Sequence, residues 1–236
     1  MPDHAVVDHA AWIKARKALL EKEKQFSRMR DALTAERLAL PWEMVAKEYR
    51  FEGPDGPVLL AELFDGRSQL MIYHCMFDPE CSEGCPSCSF LADHYDPAVA
   101  HLAQRDFTLV NVSLAPFAKL QAFQARMGWS FTWVSSQGSD FNRDYHVSHN
   151  EKEIEDGTAY YNYREGVAFP MREAPGISAF FKDDTGQIFH TYSGYARGFE
   201  GLISTYGFLD LAPRGRNEGG LAFPMEWVRH RDRYGD

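Results

Sequence analysis

The chain has 236 residues and a formal net charge of -9 at pH 7. This length can form one large domain or a core with additions, and either can bury a sizeable core. The acidic balance argues against nucleic acid as the main partner, since phosphate binding needs clustered Lys and Arg. The sequence starts with no secretory signal, and no apolar run approaches the roughly 20 residues that span a bilayer. We therefore expect a cytoplasmic protein that has no membrane partner.

The first predicted element is a long helix from about Asp8 to Leu40, which Pro41 stops. Apolar residues recur in it every seven positions, at Trp12, Leu19, Phe26, Leu33 and Leu40. A narrow apolar stripe on a charged helix is typical of an arm that packs across a domain. The same heptad spacing also permits a homodimer through this arm.

The remainder of the chain alternates between strand-like and helix-like segments. The predicted elements are strands at 44–51, 58–60 and 69–74, a helix from about 86, a strand at 107–112, a helix at 116–127, a strand at 131–135, a β-hairpin at 177–192 and a helix at about 197–206. This alternation indicates an α/β fold with a mostly parallel sheet. We divide the chain into a helical arm (1–41), a main domain (42–210) and a C-terminal extension (211–236).

All four cysteines lie in one short stretch, which ends in the motif Cys85-Pro86-Ser87-Cys88. The motif follows an apolar strand that ends at His74, and it opens a predicted helix. Unpaired N–H groups at a helix start stabilise a thiolate, and Pro86 suits the first helical position. The pattern predicts a redox dithiol: Cys85, with a pKa below the usual value of about 8.5, attacks a disulfide, and Cys88 resolves the mixed disulfide.

Two neighbouring residues have both a functional and a structural interpretation. Cys81 is close enough in sequence to exchange with Cys85 as a third redox thiol, or it is incidental. His74 tunes the thiolate, or it is a satisfied histidine at the end of a strand. We treat both as supporting candidates of the redox site.

A metal site is the competing interpretation of the same cysteines. The spacing Cys81-x-x-x-Cys85-x-x-Cys88 offers three thiolates to a tetrahedral zinc ion. Cys75 or a nearby histidine is available as the fourth ligand. Such a protein would be stabilised by zinc without catalysing a reaction, and a purely binding protein with inert thiols is a further alternative.

From the strand before the dithiol onward, the order of elements resembles the thioredoxin fold: strand, dithiol helix, strand, helix, antiparallel hairpin, helix. Pro175 precedes the hairpin, where thioredoxin-fold proteins carry a cis-proline that faces the dithiol; an ordinary loop proline is the alternative. Residues 58–67 also resemble the lead-in of peroxiredoxins. Their signature, P-x-x-x-[ST]-x-x-C, is one residue out of register here, because Pro79 precedes Ser82 by three positions and Cys85 by six. A thiol peroxidase is therefore an alternative function.

Longer strings extend the resemblance over about 12–218. They are Ala15-Arg16-Lys17-Ala18-Leu19-Leu20, Tyr73-His74, Glu83-Gly84-Cys85-Pro86-Ser87-Cys88-Ser89-Phe90, Gly138-Ser139-Asp140-Phe141-Asn142, Pro175-Gly176, Phe189-His190-Thr191-Tyr192 and Thr205-Tyr206-Gly207-Phe208-Leu209-Asp210. The chain resembles a family of bacterial proteins known as domain of unknown function 899, which are labelled predicted dithiol–disulfide oxidoreductases. Cys75 and Cys81 stand where we expect Phe and a non-cysteine residue in relatives.

The resemblance implies a thioredoxin-like fold, with a central mixed sheet flanked by helices, to which the arm and the extension are added. It also implies thiol–disulfide exchange through Cys85 and Cys88 with no bound organic cofactor. The substrate would be a protein or small-molecule disulfide or thiol, and an external reductant would recycle the dithiol.

Overall fold

The computed structural model describes residues 4–235, which belong to two compact units, Met1–Pro41 and Trp42–Asp236. The first unit contains helix α1 (His9–Leu38). Its first turn is capped by the carboxylate of Asp8, which accepts the N–H of Ala11 at 2.7 Å. Neither this helix nor any other described one combines the length and apolar character needed to cross a membrane. The homodimer through the arm stays a prediction.

The second unit is built on a mixed sheet of eight strands. These strands are β1 (Glu43–Met44), β2 (Arg50–Gly53), β3 (Gly56–Leu59), β4 (Gln69–His74), β5 (Phe107–Ser113), β6 (Thr132–Ser135), β9 (Gly176–Lys182) and β10 (Ile188–Tyr195), while β7 (Ala159–Tyr161) and β8 (Arg164–Val167) form a separate hairpin. The order in the sheet is β1-β10-β9-β4-β5-β6-β2-β3. Strands β4, β5 and β6 run parallel, and the other pairs are antiparallel.

Short helices connect the strands. They are α2 (Pro86–Tyr95), α3 (Val99–Ala103), α4 (Phe117–Met127), α5 (Phe141–Asp144), α6 (Glu151–Asp156) and α7 (Ser204–Leu211), with 3-10 segments at Asp96–Ala98, Ala196–Leu202 and Arg231–Arg233. Helix α2 follows β4, α4 connects β5 to β6, and α7 follows the antiparallel pair β9–β10. This topology confirms the predicted thioredoxin-like fold, because the strand before the dithiol helix is central and lies between a parallel and an antiparallel neighbour.

The prediction of one strand at 44–51 is wrong, since these residues contribute to two strands that lie near opposite edges of the sheet. Strand β1 pairs with β10 at one edge, whereas β2 pairs with β3 and β6 near the other edge. The chain between Met44 and Arg50 therefore runs from one edge of the sheet to a position near the opposite edge. Local sequence pattern cannot reveal this, because the partner of a strand is decided by contacts with remote strands rather than by its own residues.

The predicted helix at 197–206 is also corrected. The chain forms a 3-10 segment up to Leu202, and the α-helix begins only at Ser204. Gly198 and Gly201 each disfavour an α-helix by about 1 kcal/mol relative to alanine. Between the two segments, Ile203 has φ -93° and ψ 89°, which are not helical angles.

Alternation along β4 decides which residues can reach the dithiol. Leu70 and Ile72 face one core cluster, and His74 contacts aromatic rings of that same cluster. Tyr73 and Cys75 face the opposite cluster, to which α2 and α4 contribute buried side chains. Since successive side chains of a strand point to opposite faces, the dithiol is confined to the α2 face of the sheet.

Side chains pack closely against the backbone of Gly176, and this gives a test of the packing around β9. A Cβ atom there would lie 2.9 Å from Cδ1 of Tyr195 and 3.1 Å from Cγ1 of Val147. The Tyr195 hydroxyl donates to the carbonyl oxygen of Tyr145 at 3.0 Å, which fixes the ring. We expect Gly176→Ala to lower the free energy of unfolding by about 1–3 kcal/mol in urea denaturation. The control Gly201→Ala, whose Cβ would meet nothing within 4 Å, should change it by less than about 0.5 kcal/mol; equal effects would contradict the prediction.

Candidate functional site

The dithiol begins at the first turn of α2. Cys85 is the N-cap residue and Pro86 occupies the first helical position. The N–H of Cys85 donates to the carbonyl oxygen of Met76 at 3.0 Å. The carbonyl oxygen of Cys85 accepts hydrogen bonds from the N–H and the hydroxyl of Ser89, both at 2.9 Å. These bonds fix the position of the Cys85 thiol relative to the free N–H groups of the helix start.

The environment of Cys85 holds its proton in the reduced dithiol. The pKa of Cys85 is raised well above its ordinary value, first because its thiol donates a hydrogen bond to the sulfur of Cys88, and second because burial disfavours the thiolate. The N–H groups of Cys88 and Ser87 act in the opposite direction, as expected at a helix start, but they are outweighed. The predicted lowering of the Cys85 pKa is therefore wrong for the dithiol form.

A third thiol, that of Cys75, belongs to the same group. The pKa of Cys88 is raised, first by hydrogen bonding with the thiol of Cys75 and also by burial. Hydrogen bonding with Cys85 and with the Tyr73 hydroxyl lowers this pKa, but by less. The sulfur of Cys88 also accepts the N–H of Met76 at 3.4 Å. Cys88 therefore lies near two other cysteines in the same core cluster. The sequence did not indicate that Cys75 lies beside Cys88, although Cys75 directly follows β4.

Cys85 lines two cavities. The first, of about 320 Å³, also reaches Cys88 and Pro175, and its wall is mainly apolar. Apolar side chains in this wall include Leu91, Phe199, Ile203 and Met225. The second cavity, of about 680 Å³, contains Cys81 and Glu173 beside Cys85. A molecule bound in either cavity would lie against the Cys85 side chain.

Pro175 lies where the sequence resemblance places it, but its peptide bond is trans. No cis peptide bond occurs in the described part of the chain, so the predicted cis-proline is wrong. The carbonyl oxygen of Pro175 accepts the Tyr161 hydroxyl at 2.7 Å. Trans is the more stable form of a bond that precedes proline, and Pro175 still lines the first cavity.

The other two supporting candidates have different positions. Cys81 is exposed in the second cavity, on a loop that Lys119 holds through the carbonyl oxygens of Pro79 (2.6 Å) and Cys81 (3.0 Å). His74 lies on the opposite face of the sheet, where its Nε2 is 2.9 Å from the hydroxyl of Ser178. Burial lowers its pKa to about 3, so the ring is neutral. The structure does not bring His74 to the dithiol.

The zinc alternative finds no support in the geometry. Among residues 4–235, no three His, Cys, Asp or Glu side chains are grouped in a way that could hold a metal ion.

A buried carboxyl group, that of Glu173, lies in the wall of the second cavity and was missed from the sequence. Its Oε1 accepts the N–H of Leu114 at 3.2 Å and the side-chain amide of Asn142 at 3.4 Å. Its Oε2 is buried without a hydrogen-bond partner among the described residues. Burial raises the pKa of Glu173 to about 8, and the neighbouring Cys85 adds to this. The one signal in the sequence is an acidic residue close to Pro175.

The C-terminal extension holds the loop that precedes the dithiol. Buried His230 donates from Nε2 to the carbonyl oxygen of Gly84 at 2.9 Å, and this assigns the ring proton, since a carbonyl only accepts. The carboxylate of Glu83 pairs with Arg233 and Arg126, each at 2.8 Å. The residues directly before the dithiol thus depend on contacts with residues that are about 150 positions away.

Comparison with known proteins settles the family. Residues 1–234 match a family described as bacterial protein of unknown function, DUF899. The chain belongs to the DUF899 family. This confirms the resemblance seen in the sequence and extends it to almost every residue. No curated protein matches this DUF899 chain.

Solved structures resemble parts of the DUF899 chain at low identity. Peroxidoxin BcpB from Mycobacterium tuberculosis is 14% identical, with a TM-score of 0.44 over 70% of this chain and 94% of its own. Peroxiredoxin Q from Xanthomonas campestris is 15% identical, with a TM-score of 0.46 over 72% and 96%. A putative thiol:disulfide interchange protein DsbE from Chlorobium tepidum is 17% identical, with a TM-score of 0.40 over 70% and 97%. Likenesses this weak carry no conclusion about activity.

The contact between His230 and the dithiol loop can be tested by removing one hydrogen bond. We expect His230→Phe to lower the free energy of unfolding by about 1–3 kcal/mol, because the buried carbonyl oxygen of Gly84 loses its donor while the ring volume is retained. Arg233→Met is the matched control: it removes an exposed ion pair to Glu83, which is worth about 1 kcal/mol or less. Urea denaturation measures both variants, and a smaller loss in His230→Phe than in the control would argue against this role.

The raised pKa of Glu173 predicts a dependence of stability on pH. From the ordinary value of 4.5 to about 8, the unfolded chain loses the Glu173 proton while the folded protein keeps it. The free energy of unfolding of the wild type should therefore fall, relative to Glu173→Gln, as pH rises through this window. The slope from one group is at most about 1.4 kcal/mol per pH unit. Urea denaturation of both proteins at several pH values measures it, and a constant difference would refute the assignment.

Proposed function

We propose that this protein is a thiol–disulfide oxidoreductase that works through Cys85 and Cys88. The observation that carries the proposal is the position of both cysteines in the first turn of α2, with Cys85 at the wall of both cavities. Cys88 is only 2% exposed and lies behind it. An accessible thiol next to a buried one suits a reaction in which the first attacks and the second resolves.

The reaction transfers two electrons from the dithiol to a substrate disulfide. Cys85 loses its proton and attacks one sulfur of the substrate; the substrate S–S bond breaks, and the first product leaves as a thiol after taking up a proton. Cys88 then attacks the sulfur of Cys85, which releases the second product thiol and forms the Cys85–Cys88 disulfide. An external dithiol reductant reverses this oxidation. We place the reaction in the cytoplasm, whose thiols are kept reduced.

Glu173 is suited to move the proton of Cys85. Because the pKa of Cys85 is raised, the thiol needs an acceptor before it can attack. Glu173, whose Oε2 has no hydrogen-bond partner among the described residues, lines the same cavity as Cys85. A carboxyl group with a pKa of about 8 is partly ionised at neutral pH, so it can take up the proton and later return it to a leaving thiolate.

The cavities favour a small substrate. A volume of about 320 Å³ lies at the lower end of the range of roughly 300–1,000 Å³ that is usual for small-molecule sites. Pro224 and Met225 of the C-terminal extension contribute to the wall of this cavity. A small-molecule disulfide therefore fits the approach to Cys85 and Cys88 better than a folded protein does.

A single-turnover reaction with glutathione disulfide tests the proposal. All proteins carry Cys81→Ser, because an exposed thiol would react by itself. After reduction and removal of the reductant, this reference protein should release at least two glutathione molecules per chain. Adding Cys88→Ser should stop the reaction after one glutathione and leave a stable mixed disulfide on Cys85, since nothing resolves it. Adding Cys85→Ser should abolish the release.

Other outcomes would assign a different function. Release that is as fast with Cys85→Ser as in the reference protein would overturn the proposal. Rapid consumption of hydrogen peroxide by the Cys88→Ser protein, without reaction with glutathione disulfide, would favour the thiol peroxidase. If the thiols neither exchange nor consume peroxide, the thioredoxin-like fold serves binding alone.

A further inference from the structure

We propose that Cys75 is a third redox thiol, which attacks Cys88 in the Cys85–Cys88 disulfide and thereby moves the disulfide into the core as Cys75–Cys88. The inference rests on the proposed function, because that reaction supplies the first disulfide. It adds a residue that stands outside the C-P-S-C motif and that gives the protein a second oxidised form.

The fold puts Cys75 on the face of the sheet that carries the dithiol. Cys75 follows the last residue of β4, and its N–H continues the parallel pairing by donating to the carbonyl oxygen of Val112 at 2.9 Å. Its side chain lies in the same core cluster as Cys88, and each of the two residues is only 2% exposed. Both thiols therefore lie in the interior of the protein, largely away from bulk solvent.

Contacts place the sulfur of Cys88 next to both possible partners. It accepts the N–H of Met76, the residue directly after Cys75, at 3.4 Å. The pKa of Cys88 is shifted by the thiols of both Cys75 and Cys85, so both cysteines lie near it. A sulfur with two cysteines beside it can change its disulfide partner with little movement of the chain.

The exchange is balanced within the protein. Cys75 loses its proton, and its sulfur attacks the sulfur of Cys88; the Cys75–Cys88 bond forms as the Cys85–Cys88 bond breaks. Cys85 leaves as a thiolate and takes up the proton that Cys75 lost. No electrons enter or leave, so the step needs no further oxidant or reductant.

The step changes the reactivity of Cys85. In the dithiol form, the hydrogen bond to Cys88 is the largest cause that holds the proton on Cys85. Once the sulfur of Cys88 is bonded to Cys75, this contact is weakened, while the N–H groups of Ser87 and Cys88 still favour the thiolate. The protein would thus store one disulfide in the core and present a free, more acidic Cys85 to a second substrate molecule.

Glutathione disulfide distinguishes this scheme from simple exchange. In the Cys81→Ser reference protein, the freed Cys85 should react again, so a third glutathione is released and one remains bound to Cys85. With Cys75→Ala added, release should stop at two. Mass spectrometry of the unreduced, alkylated reference protein should find a peptide that joins Cys75 to Cys88. Two glutathiones from both proteins, with only Cys85–Cys88 found, would overturn the inference and leave the proposed function intact; fewer than two from the reference protein would overturn the proposed function.

A second arm tests the pairing of Cys75 with Cys88 without a variant at either residue. The Cys85→Ser, Cys81→Ser protein keeps only these two thiols and is oxidised with diamide. We expect reversible loss of both thiols and a chain that remains monomeric on non-reducing gels. Two thiols that persist under diamide, in a protein whose circular dichroism matches the wild type, would overturn the inference.

Discussion

The contact between the thiols of Cys85 and Cys88 sets the chemistry of the site, because it competes with the start of α2 for control of the Cys85 proton. The helix start offers two N–H groups, which favour a thiolate. The sulfur of Cys88 and the apolar surroundings favour the thiol, and in the dithiol form they prevail. A reduced site that holds its proton needs an acceptor. Glu173, which lines the adjoining cavity and whose Oε2 has no hydrogen-bond partner among the described residues, is our proposed acceptor.

The same contact depends on parts of the chain that are remote from the motif. The loop between β4 and α2 has no regular secondary structure, so side chains from elsewhere hold it. Lys119 binds two of its carbonyl oxygens, and the C-terminal extension adds His230 at Gly84 and Arg233 at Glu83. The extension also closes part of the apolar cavity. It is therefore part of the site's construction, although nothing in its sequence resembles a redox motif.

Alternation along β4 decides which neighbours of the dithiol take part in its chemistry. His74 and Cys75 are adjacent in sequence, and of the two the sequence offered only His74 as a supporting candidate of the redox site. The pleat of the strand sends His74 to the opposite core, where it bonds Ser178, and leaves Cys75 in contact with Cys88. Two adjacent residues therefore differ in role: His74 is structural, whereas Cys75 is a candidate third redox thiol.

The sequence by itself determined the α/β alternation and the position of Cys85 at a helix start, because these depend on local patterns of hydrophobicity, helix signals and motif spacing. The resemblance of its strings to known sequences supplied the thioredoxin-like fold and the family. The sequence did not show that the chain between Met44 and Arg50 runs from one edge of the sheet to a position near the other, that Pro175 is trans, or that the Cys85 proton is retained. These features depend on strand pairing, burial and contacts between residues far apart in the chain, which a local pattern does not encode. Only the tertiary structure brought Cys75 and Glu173 to the dithiol.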